Sequence, residues 1–87
     1  MGTIDPDALI EQYLEPNPNR PGSADWRVKG RGVSVWALIG YLQGPVAGNV
    51  EETARAYEVP ASAVEAALAY YDRHREIIDA RLAANTV

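Results

Sequence analysis

The stretch Asn49–Tyr71, NVEETARAYEVPASAVEAALAYY, contains two helical patterns separated by a short break. The first begins at Asn49, three residues before Glu52. This spacing is typical of a capping box, in which each side chain bonds the free backbone N–H of the other residue. The break lies at residues 58–60, EVP, and the second pattern follows it. Two helices joined by so short a turn predict a helix-turn-helix unit.

The internal spacing of this unit supports the prediction. Ala54 occupies the position where a small residue lets the two helices touch. Thr53 and Glu58 depart from the apolar residue and the turn glycine that are usual at their positions. The side chains that we expect to be buried are Tyr57, Val59, Val64 and Ala67.

Large side chains continue beyond this unit at steps of four and three residues. The row consists of Val64, Leu68, Tyr71, Arg75, Ile78 and Leu82. Such spacing predicts one extended helix from Ala61 to Leu82 with a face that needs a cover. The cover is the N-terminal helix of the same chain or that of a second subunit. Because a chain of 87 residues with an alanine-rich core buries little area, we predict a homodimer. The side chains assigned to its interface are Trp26, Tyr71, Ile78 and Leu82.

The rest of the chain predicts two regions. Residues 1–25 form an amphipathic helix that begins at Asp5-Pro6, followed by an arm rich in proline. Residues 26–87 form a single domain, which opens with an alternating β-ribbon at Trp26–Val35 and continues with an apolar central helix at Val35–Gln43. The predicted fold class is therefore mainly α, with a short ribbon, a helix-turn-helix bundle and an extended C-terminal helix.

Composition narrows the function. The chain has no cysteine and a single histidine, His74, so we expect no disulfide, no metal, no cofactor and no enzymatic activity. We find no apolar run near the ~20 residues of a membrane span, and the acidic N-terminus does not resemble a secretory signal. We therefore expect a cytoplasmic protein that does not enter membranes. The net charge of −4 argues against a general attraction to nucleic acid.

The local charges leave two functions open. Between residues 49 and 72 the acids are Glu51, Glu52, Glu58, Glu65 and Asp72, against Arg55 alone. At the start of the second helix only Ser62 offers a polar group to a base, so direct readout of DNA there is weak. The candidate phosphate contacts are instead Arg20, Arg27, Lys29 and Arg31. The same cations also suit a solvated edge strand that is protected from aggregation.

Two segments carry a family resemblance. GRGVSVWALIGYLQ and AALAYYDRHREIID resemble domain-of-unknown-function family 433, whose members share an I-x-G-T-R-I-x-V-like ribbon and a helix-turn-helix that ends in A-A-L-A-Y. The resemblance covers Trp26 to Leu82, with Arg31 displaced by one position from the arginine of the family. The family is similar to antitoxins of the VapB type. The resemblance therefore implies a homeodomain-like fold, autoregulation through operator DNA, and a PIN-like ribonuclease as the toxin partner.

Two hypotheses follow from the sequence. The first is an antitoxin of a type II toxin–antitoxin pair, which neutralises a PIN-like ribonuclease and regulates its own operon by binding DNA. The second is a module for protein interaction and dimerisation, in which the helix-turn-helix is only a scaffold and its acidic face binds a basic partner. The excess of acids favours the second hypothesis, and the resemblance favours the first.

Overall fold

The computed structural model describes residues 5–85, which contain five α-helices, one 3₁₀ turn and a two-stranded antiparallel sheet. The elements in chain order are α1 (Pro6–Tyr13), β1 (Leu14–Glu15), the 3₁₀ turn (Ser23–Asp25), β2 (Arg27–Val28), α2 (Val35–Gln43), α3 (Val50–Tyr57), α4 (Ala61–Arg73) and α5 (Arg75–Ala84). The mainly helical class predicted from the sequence is confirmed. Across this range, every helix is too short or too polar to cross a membrane.

Helix α1 begins where the sequence predicts. The side chain of Asp5 accepts a hydrogen bond from the backbone N–H of Asp7, and Pro6 occupies the first turn. The helix ends one residue earlier than its apolar pattern suggests. Leu14 leaves the helix for an extended conformation, and its side chain is almost fully buried.

The sheet differs from the predicted ribbon. Strand β1 pairs with β2, so that Leu14 lies opposite Val28 and Glu15 opposite Arg27. Within the predicted ribbon, only a single bridge joins Arg27 to Ser34. The second strand comes instead from the N-terminal region, because the chain leaving α1 runs directly alongside β2. Residues predicted to form a separate arm region thus share the sheet with the rest of the chain.

The predicted turn of the ribbon is present. The backbone N–H of Gly32 donates to the carbonyl of Val28 at 3.0 Å, and the N–H of Val28 donates to that of Val33 at 2.8 Å. Gly30 and Gly32 have φ values of 79° and 73°, which explains why glycine stands on both sides of Arg31.

Helix α2 is the central helix that its composition predicts. The side chains it buries are Val35, Leu38, Ile39 and Leu42. Ser34 is its N-cap residue, but the hydroxyl makes no capping hydrogen bond. The helix ends at Gly44, as the GPVAG sequence predicts.

Half of the predicted capping box is present at α3. The Asn49 side chain accepts from the backbone N–H of Glu52 at 3.0 Å. The Glu52 carboxylate does not return the bond: it pairs with Arg55 at 2.8 Å, and the N–H of Asn49 donates instead to the carbonyl of Val46 at 3.2 Å. One side-chain cap is therefore enough for this helix start.

The junction between α3 and α4 accommodates both departures from the usual pattern. Glu58 adopts the left-handed conformation, with φ of 57°, that a turn glycine would adopt at no cost. Thr53 is fully buried, and its hydroxyl donates to the carbonyl of Asn49 at 3.0 Å. Ala54 is buried at the contact between the two helices. The helix pair therefore lies where the sequence predicts it.

The extended C-terminal helix is a wrong prediction. The chain breaks at His74, with φ of −127° and ψ of 38°, and restarts as α5 at Arg75. The N–H of His74 still bonds the carbonyls of Tyr70 and Tyr71, at 3.0 and 3.1 Å. The break lets α5 turn onto α2 and bury Ile78 completely. Burial of this side chain offsets the backbone hydrogen bonds lost at the break. The regular spacing of apolar residues in the sequence does not reveal where the break occurs.

The chain covers its own apolar faces. Helix α4 lies at the centre and packs against α1, α2 and α3, while α5 packs against α2 and the 3₁₀ turn. The cover of the Val64–Leu82 row therefore comes from the same chain. The row that favoured a homodimer thus has its cover within one subunit, and the dimer stays a prediction.

A partly buried ion pair attaches the 3₁₀ turn to α5. Both oxygens of Asp25 accept from the guanidinium of Arg81, with Nη2 to Oδ2 at 3.0 Å. The side chain of Asp25 is only 8% exposed. The proline-rich segment before it is thus tied to the C-terminal helix.

Candidate interaction surfaces

The four cations proposed to bind phosphate all face acceptors in their own chain. Arg27 pairs with Glu15 at 2.8 Å, and Arg31 pairs with Glu58 at 2.7 Å. The ammonium of Lys29 donates to the backbone carbonyl of residue 11 at 2.5 Å. Arg20 lies 4.0 Å from the carboxylate of Asp25 and is 68% exposed. Carboxylates therefore balance two of these four charges, whereas Lys29 meets an uncharged carbonyl and Arg20 lies near a carboxylate that Arg81 already bonds.

Helices α3 and α4 present an acidic surface. Glu51, Glu52, Glu58 and Glu65 are all exposed. Two of them pair with arginines, but Glu51 and Glu65 have no ion pair among the described residues. Ser62, the one polar side chain at the start of α4, is half-buried. This surface is suited to a cationic partner.

An open groove of about 470 Å³ lies beside α1 and β1. Its lining combines apolar side chains with acids around them. The residues are Asp7, Ile10, Glu11, Leu14, Glu15, Pro16, Trp26 and Lys29. This groove has no signature in the sequence, since it forms only when α1 and β1 meet Trp26.

A stack of three rings supports the Trp26 wall of the groove. The Trp26 ring lies 5.2 Å from that of Tyr70, which lies 4.4 Å from that of His74. The Tyr70 hydroxyl donates to the carbonyl of Ser23 at 2.6 Å. Burial raises the pKa of Tyr70. The hydroxyl therefore stays protonated at neutral pH and keeps the 3₁₀ turn in place.

The other side chains assigned to a dimer interface lie in different surroundings. Ile78 is fully enclosed, and Leu82 packs against α2 beside Gly40, where an added Cβ would lie 2.9 Å from its methyl group. Tyr71 is half-buried, and its hydroxyl donates to Asp79 at 2.8 Å. Trp26 is half-buried in the groove. Their assignment to an interface stays a prediction.

A second, polar hollow of about 300 Å³ lies at the break between α4 and α5. It is lined by residues 72–77, and within it Arg75 pairs with Asp72 at 2.9 Å. Ile77 projects here with 44% of its surface exposed, which is unusual for a large apolar side chain among the described residues. In residues 5–85 we find no group of three or more His, Cys, Asp or Glu side chains placed to hold a metal ion.

The comparisons with known proteins add no relative to this description. No protein-family model, no curated protein and no solved structure matches the chain.

Proposed function

We propose that this chain acts by binding a basic protein, as the antitoxin of a type II pair that neutralises a PIN-like ribonuclease in the cytoplasm. The observation that carries the proposal is the charge distribution on α3 and α4. Glu51 and Glu65 are exposed without ion-pair partners, while the basic residues nearby are already paired. The PIN-like partner comes from the resemblance to family 433.

The same charges weaken the case for DNA. Affinity for DNA depends on Lys and Arg that neutralise phosphates and release counterions. Arg27 and Arg31 would have to exchange their carboxylate partners for phosphate. The Arg31–Glu58 pair is exposed and worth about 0–1 kcal/mol, so its exchange costs little, whereas the Arg27–Glu15 pair is partly buried. The displaced carboxylates, however, would then lie beside the phosphates and repel them.

In this proposal the helix pair is a scaffold. The α3–turn–α4 arrangement supports the helix-turn-helix prediction, and we propose that the bundle is homeodomain-like, as the resemblance implies. The start of α4, where such folds place base-reading side chains, carries Ala61, the half-buried Ser62 and the buried Ala63. These side chains offer almost no hydrogen-bonding groups for reading the edges of DNA bases.

Operator binding is the second candidate. It is favoured by Arg20, which is 68% exposed and lies as far as 4.0 Å from the Asp25 carboxylate. Arg31 is also exposed, on the glycine turn. A homodimer would present two such pairs to a palindromic site. In that case each cation neutralised by mutation should lower the salt dependence of binding by close to one charge.

One pair of measurements tests the proposal. We expect the adjacent gene to encode a PIN-like ribonuclease, which is co-expressed with the chain while RNA cleavage and co-purification are measured. In parallel, duplex DNA from the upstream region is titrated at two salt concentrations. We expect inhibition of cleavage, a complex that salt weakens, and no retardation of DNA at micromolar protein.

Charge reversal supplies the control. The double variant Glu51→Lys, Glu65→Lys should weaken the complex by about tenfold or more, because it replaces attraction by repulsion. Glu76→Lys changes an exposed acid on α5 and should leave it within about twofold. Tight DNA retardation together with uninhibited cleavage would overturn the proposal in favour of operator binding.

A further inference from the structure

The groove and the α4–α5 corner are neighbours on one surface. Arg73, which lines the corner, forms an ion pair with Asp7, which lines the groove. The surface therefore holds an apolar recess and a projecting apolar side chain, Ile77, next to each other. A two-fold interface needs this combination, since the same surface must supply both sides of the contact.

The recess is formed before any partner arrives. Leu14 provides its floor and is held by pairing with Val28. Trp26 forms a wall fixed by its stack on Tyr70. Lys29 spans the end of α1 through its bond to the carbonyl of residue 11. An incoming side chain would thus find an ordered site and lose little free energy in arranging it.

Ile77 is suited to enter such a recess. Among residues 5–85 it is the large apolar side chain left exposed, at 44%. The residues beside it keep it in place: Glu76 precedes it in the first turn of α5, and Ile78 behind it is fully buried. Covering an isoleucine of this kind by an apolar surface stabilises a contact.

The charges on this surface complement each other across a two-fold contact. Glu11, on the edge of the groove, has no ion pair among the described residues. Arg75, two residues before Ile77, is 61% exposed despite its pair with Asp72. When Ile77 of one copy enters the groove of the other, Arg75 of the first copy approaches the same groove. Two copies that each carry a net charge of −4 repel at long range, but salt screens that repulsion beyond about 8–10 Å, and Arg75 beside Glu11 is a local attraction.

We infer that this surface is where two copies of the chain meet: Ile77 of each copy inserts into the groove formed by Ile10, Leu14, Pro16 and Trp26 of the other. Arg75 then lies near Glu11 of the partner copy. The interface differs from the one suggested by the sequence, since it shares only Trp26 with it. It does not depend on the proposed antitoxin function.

Sedimentation velocity over a range of concentrations tests the inference. The wild-type chain should form a dimer at micromolar concentration, and Ile77→Asp should raise the dissociation constant by at least tenfold. Asp is well placed in the first turn of α5, so this variant should fold, and circular dichroism will verify that it does. Ala83→Asp adds the same charge at an exposed site on the same helix and should leave the dissociation constant unchanged.

Two further readouts assign the contact. Glu11→Lys and Arg75→Glu should each weaken the dimer by about threefold or more, and the double variant should recover most of the loss. On dilution, the indole N–H resonance of Trp26 should shift, while that of Trp36, whose indole nitrogen is buried, should not. A wild-type monomer at high concentration, or a dimer that Ile77→Asp leaves intact, would overturn the inference. So would a Trp26 resonance that shifts only when another protein is added, since the groove would then take a different occupant.

Discussion

The α3–α4 pair and the closure between the 3₁₀ turn and α5 are stabilised in different ways. The first depends on contacts between residues close in sequence, such as the cap from Asn49 to Glu52. The second depends on a contact across the chain, between Asp25 and Arg81, which are 56 positions apart, and the same turn is held to α4 by Tyr70 and Ser23, 47 positions apart. Patterns along the sequence therefore locate the first region, whereas the second is visible only once the chain has folded.

The largest effect on stability should come from the packing of α5 against the rest of the chain. Ile78 is fully buried between α5 and α2, so Ile78→Ala should lower the free energy of unfolding by about 2–5 kcal/mol. Urea unfolding followed by circular dichroism measures it. Leu68→Ala, at a half-buried position on α4, should cost less. Equal losses at the two sites would mean that α5 is not docked as described.

The partly buried ion pair should give the next largest effect. Asp25→Asn keeps the shape of the side chain but removes the charge that Arg81 bonds, and should cost about 1.5–3 kcal/mol. The same change in the exposed pair, Asp72→Asn, should cost close to nothing. If thermal unfolding shows the same small shift for both, the pair does not hold the 3₁₀ turn to α5.

The local region should respond to overpacking. Ala54 is buried where α3 meets α4, so Ala54→Leu should destabilise the chain by about 1–3 kcal/mol. Ala56→Leu, on the exposed side of the same helix, should be nearly neutral. A melting temperature unchanged by Ala54→Leu would contradict the assignment of the helix contact.

The smallest effect concerns the turn. Glu58 has a φ of 57°, a conformation that glycine adopts without the clash of a Cβ atom. Glu58→Gly should therefore be more stable than Glu58→Ala by about 1 kcal/mol. The comparison with alanine removes the contribution of the ion pair to Arg31, because both variants lose it. If alanine proves as stable as glycine here, the left-handed turn carries no strain.

The sequence predicts the local parts of this fold well. The start of α1 at Asp5, the apolar α2, the cap at Asn49 and the small contact residue Ala54 each follow from a short pattern. The break at His74 does not, because Arg75, Ile78 and Leu82 continue the helical spacing without interruption.

The candidate surfaces show the same division. The acidic surface of α3 and α4 can be predicted from the sequence, because four Glu residues lie between positions 51 and 65. The groove is not, since Ile10, Leu14 and Trp26 have ordinary spacing and meet only through the β1–β2 pairing. Likewise, the sequence shows Arg27 and Arg31 as a basic stretch, and their acid partners come from Glu15 and Glu58 elsewhere in the chain.

The Asp25–Arg81 pair has a consequence for how the chain is made. A ribosome adds about 5–20 residues per second, so the 56 residues from Trp26 to Arg81 take about 3–11 s to synthesise. During that time the 3₁₀ turn lacks its ion pair to Arg81. For the first part of it, α1 also lacks α4, its main packing partner. The apolar residues of α1 and β1 are thus exposed in the nascent chain. We expect chains truncated before Arg81 to be more readily recognised by chaperones and proteases than the full chain.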